Sequence, residues 1–351
     1  MAYNTTWASA IELSGEARMA YEEWSSHAPL SAWFPTYSNP GLTFSFDRRD
    51  PEVTEVADYR EYDAENTKGN GRVKTKIIGT LPPLGRDYRV EEYEQILLYA
   101  DDMKAESLRT KLIEYARFGG EAIARRLERA RISALLEGGV VLAENNVAAD
   151  ISYGRDPQLR ETLTGADLWS AATSKPLAKL EDWINTVIKV SGVQPLHLLV
   201  SRDVLDALRV HKEIRDSAFA GAASLPDRAN LEQVTDTLAA ELGLVGIRDM
   251  TKAYTLGVDE AGNIFRLGLG NPWPNGTAVL VSSPGAGFGR TEFGIPAFAL
   301  DSKFSISPGE RTGIFAHAFD QDNVAGFWVG LNATALPTFP GVNEVFVAKV
   351  L

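Results

Sequence analysis

Between Val90 and Leu136 the chain contains no proline, and its composition there is strongly helix-forming. Within that span, "ESLRTKLIEYARFGGEAIARRLERARISALLEGG" sets Leu108, Leu112, Tyr115, Gly119, Ile123, Leu127, Ala130 and Ala134 three and four residues apart. That spacing places them on one helical face. Lys104, Arg109, Arg117, Arg125, Arg126, Glu128, Arg129 and Arg131 fall on the other faces, and Gly138-Gly139 supplies a C-terminal stop. At ~1.5 Å per residue, a helix from Glu106 to Glu137 is about 50 Å long. That is long for a globular helix and suits a beam along which other elements lie. Gly119 and Gly120 each cost about 1 kcal/mol relative to alanine in a helix. The pair therefore marks either close packing against a strand or a hinge.

Upstream, "REYDAENTKGNGRVKTKIIG" (Arg60 to Gly79) predicts a hairpin whose two arms differ in charge. The first arm, taken back to Glu52, carries Glu52, Glu55, Asp58, Glu61, Asp63 and Glu65, and the second carries Lys68, Arg72, Lys74 and Lys76. Lys68-Gly69-Asn70-Gly71-Arg72 between them is a turn of residues that tolerate positive φ. Apolar residues are too few for these arms to bury a face of their own.

Residues 1–43 read as an arm, with Ser14 a candidate cap for a short helix bearing Ala17, Tyr21 and Trp24 on one face. "PLSAWFPTYSNPGLTFSF" follows, ending in the alternating strand Leu42-Phe44-Phe46. Trp24, Trp33 and Phe34 lack the periodicity of a domain core, which leaves a partly packed terminus or an arm that packs on another subunit. Beyond the long helix, "VVLAENNVAADISY" predicts a hairpin around Glu144-Asn145-Asn146. From Trp169 helix and strand alternate: "KPLAKLEDWINTVIKVSG" a helix, "PLHLLVS" a buried strand, "SRDVLDALRVHKEIRD" a second helix capped by Ser201, and "NLEQVTDTLAAELGL" a third. "AYTLGVDEAGNIFRLG" and "TAVLVSS" read as strands, so residues 166–290 form one α/β unit, and the tail from Gly294 is strand-dominated.

Chemistry is hard to place on this chain. It has no cysteine, which removes disulfides, thiolate metal sites and cysteine nucleophiles. The four histidines, His27, His197, His211 and His317, never fall at ligand spacing. "PGAGFGRTEFG" opens no helix and is followed by no Lys-Ser/Thr, so it reads as a turn, as does "DQDNVAG", which lacks the glycine and closing glutamate of a calcium loop. A formal net charge of −12 disfavours broad adhesion to nucleic acid. No apolar run approaches the roughly 18 residues of a membrane span, and no signal peptide is recognisable. No catalytic residue, cofactor site or metal site is expected. An aromatic arm, a charge-split hairpin and a one-faced beam each lack an internal partner, as expected when the missing surface belongs to a copy of the same protein.

The series "YREYDAENTKGNGRVKTKIIGTLPPLGRDYRVEEYEQI", then a long Arg-rich helix ending in Gly-Gly, resembles the tailed-bacteriophage major capsid proteins. It is most similar to the lambda-type capsid protein E group and its actinobacteriophage relatives. "AWFPTYSNPGLTFSF" and "ATALPTFPGVNEVFVAKV" resemble that group's start and end, so the likeness runs through nearly the whole chain in element order.

The resemblance implies an α+β Hong Kong 97-like fold: an N-terminal arm over 1–43, an E-loop over 44–87, a P-domain with a spine helix over 88–165, an A-domain over 166–290, and return strands to the P-domain over 291–351. It implies a structural protein, with no enzyme activity, forming hexamers and pentamers of an icosahedral head that encloses double-stranded DNA without sequence-specific binding. The expected location is the virion capsid, assembled in the bacterial host cytoplasm with no membrane partner. Subunit contacts are expected from the E-loop (Glu61, Asp63, Glu65, Lys68, Arg72, Lys74, Lys76) and from the arm (Trp24, Trp33, Phe34), with Gly119-Gly120 the candidate spine-helix hinge. Some forty residues precede the E-loop, so a separate scaffolding protein is expected, with a portal. A loop Lys–Asn cross-link is not expected, since no partner or activating acid is identifiable. An encapsulin-type compartment is the alternative on the same fold, and a cytoplasmic α/β enzyme the alternative from another class. A decoration protein is a further partner that the resemblance allows.

Overall fold

A computed structural model describes residues 2–3, 8–48, 59–60, 62, 75–94, 104–144, 147–220, 225–255, 257–258, 264–265, 268–285, 287–321 and 324–351. The short strand β1 (Ala2–Tyr3) precedes helix α1 (Ala10–His27). Ser9 caps α1, its Oγ accepting from the Glu12 N–H at 3.1 Å. Ser14, the residue expected to cap, lies one turn inside instead: its hydroxyl donates to the Ala316 carbonyl and accepts from the Ala316 N–H at 2.9 Å. Leu13, Ala17, Tyr21 and Trp24 do share the buried face. Strands β2 (Thr36–Ser38), β3 (Thr43–Asp47), β4 (Lys76–Thr80) and β5 (Pro83–Val90) follow, then the long helix α2 (Lys104–Glu137).

Helix α1 lies along α2. Arg109 pairs with Glu12, and Arg117 bridges Glu16 at 3.2 Å and Glu23 at 2.8 Å. Such half-exposed pairs contribute only about 0–1 kcal/mol each, so the apolar seam carries the contact and the ion pairs set its register. The two glycines are contact positions, and α2 runs uninterrupted through them. A Cβ on Gly119 would stand 2.3 Å from Leu331 Cδ1, and one on Gly120 would stand 2.1 Å from the Ala17 carbonyl oxygen. Close approach of a strand at one glycine and of a helix backbone at the other explains the pair without a hinge.

Strands β6 (Gly139–Glu144) and β7 (Val147–Ser152) form the hairpin expected after α2. The short β8 (Arg160–Thr162) leads to α3 (Pro176–Ser191), β9 (His197–Val200), α4 (Arg202–Val210), α5 (Lys212–Ala218), α6 (Leu231–Leu242), β10 (Gly246–Asp249) and α7 (Met250–Thr255). The single helix expected after Ser201 is two, because His211 takes an extended backbone (φ −64°, ψ 135°). Its ring there bonds the Ser174 hydroxyl at 3.0 Å and accepts from the Glu213 N–H at 3.3 Å. Ser201 occupies the first cap position, but its hydroxyl exchanges bonds with the Thr277 backbone rather than capping. Helix α7 stands where the first part of a strand was expected, and among the described residues after it the short strands β11 (Gly257–Val258) and β12 (Ile264–Phe265) pair antiparallel.

The remaining strands are β13 (Thr277–Val281), β14 (Arg290–Phe293), β15 (Phe315–Gln321), β16 (Val324–Thr338) and β17 (Val345–Lys349). One sheet runs β1-β15-β16-β14-β2, with β5 also paired to the long β16, and it packs against α2. The second runs β10-β9-β13-β17-β8, covered by a separate core in which Trp183 stacks on Phe346 at 5.0 Å and on Trp169 at 5.8 Å. Return strands to the P-domain were expected over residues 291–351. Strands β14 to β16 lie in the sheet that packs on α2, and β17 inserts between β13 and β8 of the other sheet, since its alternating Val345, Val347 and Phe346, Ala348 suit burial on both faces.

His317 sits on β15 among the rings of Phe298, Phe304, Phe315 and Phe319. Burial lowers its pKa from 6.5 to about 4. A histidine held neutral in the fold contributes stability that is full above pH 6.5 and lost as pH falls towards about 4. His317→Phe is expected to flatten the pH dependence of the melting temperature across that window relative to the parent chain. An unchanged acid slope would exclude His317 as its source.

Candidate assembly surface

The segment expected to form the charge-split hairpin is bounded by a two-stranded ribbon, β3 paired antiparallel with β4. Its register sets Phe44 opposite Gly79 and Phe46 opposite Ile77 on one face. That face is buried: Phe44 stacks on Phe46 at 6.0 Å, Phe46 meets Tyr153 at 6.0 Å, and a Cβ on Gly79 would collide with the Phe44 ring at 2.4 Å. The other face presents Thr43, Ser45 and Asp47 beside Lys76, Ile78 and Thr80, all exposed, with Ile78 66% accessible. Asp47 and Lys76 stand opposite in register. Glu61, Asp63, Glu65, Lys68, Arg72 and Lys74 lie outside the described residues; Lys76 lies on the exposed face of β4.

The arm aromatics lie elsewhere. Trp24 is buried against α2, Trp33 donates its indole N–H to the Ser282 carbonyl at 2.9 Å, and Phe34 packs between Phe288 and Phe339. All three are buried in their own subunit's core.

A polar cluster lies close by, built on two residues expected off the apolar face of the long helix. Glu128 and Arg131, one turn apart on α2, are almost fully buried and paired at 3.0 Å. Arg131 also donates to the Thr291 hydroxyl at 2.9 Å and to the Tyr21 hydroxyl at 3.2 Å. Glu128 accepts from the Leu30 N–H at 3.1 Å and from the Tyr254 hydroxyl at 2.8 Å. The cluster thus ties α1, the segment after it, α2, α7 and β14 to one point. Burial opposes the Arg131 charge, but Tyr21 and Glu128 outweigh it and raise its pKa. Burial, then Glu128, pushes the Tyr254 phenol well up, keeping it a donor. Among the described residues no group of His, Asp or Glu is arranged to hold a metal ion, and no helix is long and apolar enough to cross a membrane.

Residues 33–350 match the family model for phage major capsid protein E. The chain belongs to the phage major capsid protein E family. A search of curated proteins gives no match. Among solved structures, the fold is similar to that of a putative prophage capsid protein of E. coli CFT073, with 12% identity, full coverage of both chains and a TM-score of 0.58. It is also similar to a phage-related protein of Bordetella bronchiseptica RB50, at 17% identity, covering 96% of this chain and 95% of that one, with a TM-score of 0.51. This major capsid protein is therefore a structural, non-enzymatic component of a phage head that assembles into shells and resides in the virion capsid. Its mixed helix-and-sheet architecture is the Hong Kong 97-like one.

Proposed function

We propose that the subunits form hexamers and pentamers of an icosahedral head that packages double-stranded DNA, and that the β3–β4 hairpin is the element each subunit lays over its neighbour. The observation that carries this reading is the two-sided hairpin root: one face locked into the subunit by Phe44 and Phe46, the other, with Ile78, Asp47 and Lys76, uncovered. In this reading α1, α2 and the first sheet make the P-domain, and the second sheet with α3 to α6 makes the A-domain. Assembly takes place in the host cytoplasm, with a separate scaffolding protein and a portal as partners. Exposed ion pairs of about 0–1 kcal/mol, repeated over every copy, set the geometry of the overlap.

The test is to express the chain, with its scaffolding protein where one is required, and view the soluble fraction by negative-stain electron microscopy. The parent chain should give closed shells. Lys74→Glu with Lys76→Glu should give a folded, soluble subunit that forms none. Normal shells from the double variant would remove the hairpin's charged arm from the contact.

A further inference from the structure

Three consecutive residues, Tyr153, Gly154 and Arg155, touch both the hairpin root and the far end of the long helix. On the hairpin side, Tyr153 packs on Phe46, and the Gly154 carbonyl accepts from Arg48 NH1 at 2.8 Å, immediately beyond β3. On the helix side, Arg155 NH1 donates to the Leu136 carbonyl at 2.9 Å, while NH2 reaches the Leu135 and Ala134 carbonyls. The Leu135 and Leu136 carbonyls are last-turn acceptors that α2 itself leaves without donors, whereas the Ala134 carbonyl already accepts from the Gly138 N–H at 3.0 Å. Tyr153 closes the group, its N–H donating to the Gly138 carbonyl at 2.9 Å and its hydroxyl to the Pro337 carbonyl.

The backbone is shaped for this double contact. Gly138 and Gly154 both adopt left-handed conformations (φ 73° and 70°). A Cβ on Gly138 would stand 2.9 Å from the Arg155 Cβ, and one on Gly154 would stand 3.0 Å from Arg48 NH1. Each glycine thus leaves room for the arginine that makes the neighbouring contact. Arg48 also continues the ribbon, its N–H donating to the Thr75 carbonyl at 2.8 Å.

We infer that Arg155 is a positioning residue for assembly: through Gly154 and Arg48 it holds the hairpin root in a fixed orientation to the C-terminal end of α2. The functional weight of this clasp rests on the reading of the hairpin as the overlapping element, but the coupling itself does not. A change in the last turn of α2 and a change in hairpin angle then accompany each other, and the outward face of Ile78 and Lys76 is aimed by a side chain that never leaves the subunit's interior contacts.

The coupling is measured by hydrogen exchange on unassembled subunits, comparing the parent chain with Arg155→Met and Arg48→Ala. Arg155→Met is expected to speed exchange about tenfold at the amides of β3 and β4 as well as in residues 134–139. Arg48→Ala is expected to speed it in β3 and β4 while leaving 134–139 unchanged. Faster exchange confined to 134–139 in Arg155→Met would overturn the inference, because Arg155 would then cap the helix and nothing more. If Arg155→Met does not fold, Arg155→Lys, which keeps the charge but cannot span three carbonyls, is compared over the same two regions. Normal shells from Lys74→Glu with Lys76→Glu would count against the proposed hairpin overlap and leave the exchange result standing.

Discussion

Arg131→Met is expected to destabilise the subunit by about 3–5 kcal/mol, measured by denaturant unfolding of assembly-deficient protein. The substitution keeps most of the side-chain volume but leaves the Glu128 carboxylate buried with the Leu30 N–H and Tyr254 hydroxyl as its neutral donors. It also leaves the Thr291 hydroxyl and the Tyr21 phenol without their guanidinium partner. Removing the charge as well, in Arg131→Met with Glu128→Gln, should recover a large part of the loss, since a neutral amide still accepts from Leu30 and Tyr254. Equal losses in the single and double variants would mean that the network holds the fold by its geometry and not through the paired charges.

Gly120→Ala is the second large effect. The new methyl meets the Ala17 carbonyl oxygen of α1, a backbone atom that no rotamer change can move aside. Overpacking of this kind costs about 1–3 kcal/mol or more, against a helix-propensity gain of about 1 kcal/mol. A net loss of about 2 kcal/mol is expected, with α1 lifted from α2 and cut faster by protease within residues 10–27. For Gly119→Ala the nearest atoms to the new methyl belong to the Leu331 side chain, which can repack, so its net cost should be about 1 kcal/mol or less. A hinge would make the two substitutions equivalent, because each stiffens the same turn.

The long helix was legible because its signal is local: absence of proline, apolar spacing of three and four, and a Gly-Gly stop. The β6–β7 hairpin and the strand at His197 were legible for similar reasons. Trp33 and Phe34 were not, since aromatics among prolines look the same whether they cover a neighbour or fold back on their own chain. Their partners, Ser282, Phe288 and Phe339, are some 250 or more residues away. Glu128 and Arg131 were hidden among Arg125, Arg126 and Arg129, where an i,i+3 acid–base pair reads as a solvated face. The one available signal was that Leu127 and Ala130, their immediate neighbours, belong to the apolar stripe. The break at His211 carries neither glycine nor proline, and it follows from the imidazole's bonds to Ser174 and Glu213.

The distribution of strands has a consequence for the quality of a structure built from many copies. Strand β16 is the common partner of β5, β14 and β15, and β17 lies between β13 and β8, so each core is completed by the last thirty or so residues of the described chain. A polypeptide broken off before residue 324 leaves both sheets with a missing interior strand. It cannot close either core, and the root of its hairpin loses the Pro337 and Phe339 contacts of Tyr153 that back it. Such a fragment cannot complete the native subunit, so the topology makes the last strands a condition for every folded copy.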